Sequence, residues 1–195
     1  MSDTGQRERL LGRSRPSVPY RMLVDEAGAA RAQEALAVAQ RHLRQVTLAD
    51  RSPEEVAEAH ARVDAASREL DGCYETVVLR ALPLVGEVTA ESLIADHPPS
   101  EEQMAAVKAK REEARRAGDE LPPWPAWDDA TFRPALLAAS AEGAGMSAAD
   151  WAEMLSTRMS AGEVRGLWAA CVAINLTGRA AEPVVLPKGS TRMPS

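Results

Sequence analysis

From Asp25 to about Thr47, Ala29, Leu36 and Leu43 recur every seven residues, and Ala32, Ala39 and Val46 follow them by three. This is an a/d heptad seam, and it predicts a helix with one narrow apolar stripe. Ser52-Pro53-Glu54-Glu55 then supplies an N-cap, a proline at the first helical position and a capping-box glutamate. Along the helix that starts there, Val56, Val63 and Leu70 hold one heptad position and Ala59 and Ala66 the other, until Gly72. The short linker between the two predicts an antiparallel hairpin, in which alanine lets the helices approach closely.

The stretch 73–80, CYETVVLR, is the one convincing strand, β-branched and aromatic and followed by Pro83 and Gly86. A single strand needs a partner. Residues 18–24, at the other end of the hairpin, are the better choice because an antiparallel hairpin brings its own ends together. The alternative is a second copy of the chain, which would make the protein a homo-oligomer.

After Gly86 the pattern predicts a succession of short helices. Thr89 caps one through about His97, stopped by Pro98-Pro99, and Ser100 with Gln103 boxes a charged helix through about Ala117. A proline-stiffened loop, Leu121 to Trp127, precedes a helix from about Thr131 to Glu142 with Pro134 in its first turn. Ser147 with Asp150 and Ser160 with Glu163 box the last two helices, 147–157 and 161–177. Val164, Leu167, Trp168, Cys171 and Ile174 share a face of the final helix. All four Trp and the only Phe lie between 124 and 168, which places the main core in this half.

The fold class is therefore mainly α: an antiparallel helical hairpin, a small two-stranded β element and a C-terminal bundle of short helices. Residues 1–19 lack periodicity and read as a disordered basic arm. Residues 20–86 form the hairpin with its flanking strands, 87–178 a helical domain, and 179–195 a flexible tail.

Composition supports helix. Of 195 residues 37 are alanine, the best helix former, and Phe occurs once. Net charge is −6, divided into +3 over residues 1–24, +2 over 179–195 and −11 between them. An acidic body with short basic ends lacks the continuous positive face of a nucleic-acid binder. The helix pair 147–157 and 161–177 is correspondingly a poor helix-turn-helix, offering only Arg165 before Gly178. No run reaches the roughly 18 apolar residues of a membrane span, and the N-terminus lacks a signal-peptide core, so the expectation is a soluble intracellular protein.

Candidate chemistry is sparse. Cys73 and Cys171 are too few for a zinc site or disulfide framework. His42, His60 and His97 show no ligand or triad spacing, and no phosphate-binding glycine loop or nucleophile elbow is present. The expectation is no catalytic residue, no metal and no cofactor. Proline beside tryptophan does make a preorganised contact surface, so Pro98, Pro99, Trp124, Trp127 and Phe132 are candidate partner-binding residues. The competing reading folds one tryptophan or both back to seal the core.

The order of three segments carries a resemblance: Glu91 to Gln103 (ESLIADHPPSEEQ), Trp127 to Ser140 (WDDATFRPALLAAS), and Met146 through Glu163 to Asn175. Together they resemble the tail assembly chaperones of long-tailed, siphovirus-type phages of actinobacteria. The resemblance covers residues 75–175 and leaves the hairpin at 25–71 unmatched. It implies a non-enzymatic factor of the host cytoplasm that holds the tape measure protein soluble and recruits tail tube subunits. A virion tail or connector protein, and a bacterial helical adaptor or regulator, are the alternatives.

Overall fold

The computed structural model describes residues 3–177. Among them are eight α-helices, one π-helical turn and three strands, so the mainly α expectation holds. The expected tail, 179–195, lies outside the described residues. The chain forms two compact units, 21–77 and the remainder.

The first helix, α1 (Asp3–Leu11), lies within the stretch read as an aperiodic arm. Its described side chains are exposed apart from half-buried Gly5, so it has no apolar face by which a sequence pattern could reveal it. Strand β1 (Ser17–Leu23) follows and buries Val18 and Met22.

In the unit 21–77, Asp25 caps α2 (Glu26–Leu48) by accepting from the Gly28 amide, and Ser52 and Glu55 form the expected reciprocal box on α3 (Pro53–Asp71). The helices pack as the predicted hairpin. Its seam is divided by residue size. Ala29, Ala32, Ala39, Val46, Ala59 and Ala66 are buried, while Leu36, Leu43, Val56, Val63 and Leu70 are half-buried. The buried line is alanine but for Val46, and the larger side chains beside it are half-buried.

Strand β2 (Tyr74–Arg80) pairs with β1 as expected, but the sheet has three strands and not two, in the order β1-β2-β3. The third, β3 (Ala141–Glu142), runs antiparallel to β2 with Val78 opposite Glu142 and Leu79 opposite Ala141. It forms because the chain leaves the preceding helix extended, and Gly143 and Gly145, at φ of 73° and 63°, make the left-handed turns that follow. Arg80 and Glu142 close the pair with a 2.7 Å ion pair.

The second unit is built from α4 (Ala90–Asp96), α5 (Glu101–Ala117), α6 (Asp129–Ser140), α7 (Ala148–Glu153), a π-helical turn (Met154–Arg158) and α8 (Ala161–Asn175). The boxes at Ser147 and Ser160 are reciprocal as expected. That at Ser100 is not: its hydroxyl accepts from the Gln103 amide, but Gln103 Oε1 is buried without a partner. Thr89 and Ser92 form a fourth box, with serine in the usual glutamate place. Helix α6 starts before Thr131, because Asp128 accepts from the Ala130 amide at 2.8 Å. Pro134 therefore lies beyond the first turn, inside the helix, where it supplies no amide hydrogen bond.

Leu79, Phe132, Leu136, Leu137, Trp151, Leu167 and Cys171 are at most 1% exposed and make up the core of this unit. Asn175 fastens it. Its side chain accepts from the Leu82 amide at 2.8 Å and donates to Ser140 Oγ at 2.9 Å and the Cys171 carbonyl at 3.0 Å.

Candidate functional site

The turn after α4 and the loop before α6 meet through one backbone bond, from the Asp128 amide to the His97 carbonyl at 2.9 Å. That bond brings Pro98 and Pro99, which end α4, to the level of Trp127. Phe132 sits beneath, on the first turn of α6. Its ring centroid is 4.6 Å from that of Trp127, 6.0 Å from Trp168 and 6.4 Å from His97, and the last two contacts are edge-on. Trp127 and Trp168 also meet edge-on at 6.3 Å, the geometry favoured by aromatic quadrupoles.

The five candidate residues divide by depth. Phe132 is fully buried, so it supports the aromatic cluster from the core side and offers no surface to a partner. Trp127 is half-buried, its indole N–H donating to Asp129 Oδ1 at 3.1 Å. Trp124 is 49% exposed. Pro98 is exposed and Pro99 half-buried. Of the two tryptophans, Trp127 folds back onto the core and Trp124 faces solvent.

Trp124 is nevertheless held. The Arg111 guanidinium lies 4.8 Å from its ring centroid and donates to the Pro122 carbonyl, fixing the proline-rich loop to α5. On the neighbouring rim, Arg133 lies 5.4 Å from the Trp168 ring and pairs with Asp129 at 3.0 Å. Exposed Trp124 and half-buried Trp168 are thus each accompanied by an arginine, and both residue types are enriched at interface hot spots.

No family model, curated protein or solved structure matches the chain. The site must be read from its own chemistry.

The rim is apolar and cationic. Cys171 is fully buried, and burial pushes its thiol up to about 11, which keeps it protonated and poorly nucleophilic at neutral pH. Tyr20 donates to the Glu163 carbonyl at 3.2 Å, and burial, with the Glu163 charge, raises its phenol above the ordinary value. Asp150 and Glu163 lie below the usual carboxylate range because the Ser147 and Ser160 caps hydrogen-bond to them. These are fold-supporting interactions. Among the described residues no group of three or more His, Cys, Asp and Glu is placed to hold a metal, and no helix is long and apolar enough to cross a membrane.

Two contributors were not singled out from the sequence. Arg111 reads there as one member of a solvated charge run, since nothing in the run marks the residue that will meet a tryptophan. Leu84 and Val85 are 85% and 86% exposed in the loop after β2, where the signal was present: two adjacent apolar residues between Pro83 and Gly86.

Proposed function

We propose that this protein is a phage tail assembly chaperone, a non-catalytic factor of the host cytoplasm that binds the tape measure protein and recruits tail tube subunits. The observation that supports the reading is the common fate of the three segments behind the resemblance. Residues 91–103, 127–140 and 146–175 belong to one compact unit. The His97, Trp127, Phe132 and Trp168 cluster joins one residue or more from each of them. Asn175, which ends the sequence pattern, has a role in the same unit as the clasp between α8, Ser140 and Leu82. A helical client would meet the Trp124 and Arg111 rim and the exposed Leu84 and Val85 loop, apolar surfaces suited to reversible binding.

Co-expression with a tape measure protein, followed by a pull-down, tests the reading. Association that keeps the client soluble is expected, and Trp124→Ala should weaken it. No association, with each partner soluble alone, would overturn it. A virion tail or connector protein is the second reading, favoured by the unfilled face of the hairpin. Mass spectrometry of purified particles separates the two, since a chaperone is absent from the finished particle.

A further inference from the structure

The hairpin seam is asymmetric across its thickness. On one side of the alanine line lie the half-buried Leu36, Leu43, Val63 and Leu70, none of which lines the opposite face. On the other side the alanines leave a groove of about 860 Å³ between α2 and α3. Its centre is small and apolar: Ala35, Val38 and Ala39 from α2, Ala65 and Ala66 from α3. Val38 is 50% exposed there. A two-helix unit has no third element to lay on this face.

The charges along the groove are sorted by end. Because the helices run antiparallel, Glu69, late in α3, lies at the end occupied by Glu34, early in α2. Arg62 lies at the opposite end with Arg41 and His42. The face is thus acidic at one end, basic at the other and apolar between. Arg31, beyond Glu34, is the exception at the acidic end.

We propose that this face pairs with the same face of a second copy, antiparallel, to make a four-helix bundle. A twofold axis lying in the interface, across the helices and near Val38, sets Val38 against Val38 and Ala65 against Ala65. It carries Glu34 onto Arg41 and Glu69 onto Arg62 of the second copy. Arg62 already pairs with Glu58 at 2.7 Å, so the Glu69 contact with Arg62 is a three-membered network, and Arg31 falls opposite Gln45. A parallel copy would set like charge on like, so the sorting selects the antiparallel arrangement. Size is adequate. A face about 34 Å long and two helix diameters wide buries roughly 1,200 Å² over both copies, at the lower edge of the range for specific interfaces. The proposal does not depend on the tail chaperone reading and holds equally for a virion protein.

Sedimentation velocity of the full chain over a range of concentrations tests it, with variants that alter only exposed charges. Wild type is expected to dimerise. Arg41→Glu with Arg62→Glu should weaken the dimer at least about tenfold while leaving helical circular dichroism unchanged. Adding Glu34→Arg and Glu69→Arg to the same chain should restore it, which no parallel pairing and no unrelated interface predicts. A wild-type chain that stays monomeric would overturn the proposal, and so would a dimer indifferent to the first pair of changes. If a monomeric wild type bound a client helix, and Val38→Arg abolished that binding, the groove would belong to the client instead.

Discussion

Trp151 and Trp168 look alike in the sequence, each on a helix of the C-terminal half, yet they carry different loads. Trp151 is fully buried, with its indole N–H unpartnered, while Trp168 is half-buried and carries Arg133 on its ring. Trp151→Ala is therefore expected to cost about 3–5 kcal/mol by loss of packing and the cavity left behind, and Trp168→Ala roughly half as much. Trp151→Phe should cost less than Trp151→Ala, because it keeps much of the packing and removes a buried donor that finds no acceptor. Urea unfolding midpoints check all three, and a neutral Trp151→Ala would show that the core is misplaced. The burial difference is invisible to the sequence: helical spacing puts both residues on apolar faces. Only the packing of α6 with α7 and α8 decides which indole is enclosed. The same holds for Asn175, whose three partners come from widely separated stretches of chain.

At the scale of elements, the sequence speaks wherever a local rule sets the structure. Heptad spacing and the capping box at Ser52 place the hairpin helices to within a residue, since both signals are short-range. What it hides are features without a local signature. One is the two-residue β3, whose sequence is that of a helix end. Another is the π-helical turn at Met154–Arg158, where Ser156 and Thr157 hydroxyls bond back to the carbonyls of Ala152 and Glu153. The boxes on α7 and α8 also carry a pH signature. Asp150 and Glu163 are held below their ordinary values by Ser147 and Ser160, so the folded state prefers their charged forms. That stability is present above the unfolded carboxylate range and is lost as pH falls through the folded values. Ser160→Ala should cost about 1 kcal/mol near neutral pH. The gap to wild type should narrow as pH falls below the ordinary carboxylate range and through the lowered folded value of Glu163, beneath which the carboxyl that completes the box is protonated in both states. Thermal melts between pH 6 and pH 3 check this; a gap constant across that range would mean the glutamate charge contributes nothing.

For the whole molecule, the alanine-rich composition resolves into two ways of holding a unit together. Residues 21–77 bury mostly alanine, with Met22, Val46 and Cys73 the larger exceptions, so little side-chain volume is enclosed. The remainder buries Trp151, Phe132 and a set of leucines. Small side chains yield less apolar area, at about 25 cal/mol per Å² removed from water, so the hairpin is the less stable of the two. All four tryptophans lie outside it, whereas its helices, of 23 and 19 residues, are the longest described. Thermal unfolding followed by circular dichroism at 222 nm should therefore begin below the transition followed by tryptophan fluorescence. Ala59→Gly, at a position 1% exposed in the hairpin, should move only the earlier transition. Coincident curves for wild type and variant would mean that the two units unfold as one. If the hairpin pairs with a second copy, the earlier transition should also rise with protein concentration while the fluorescence transition stays fixed, because only the hairpin's folded form is bound.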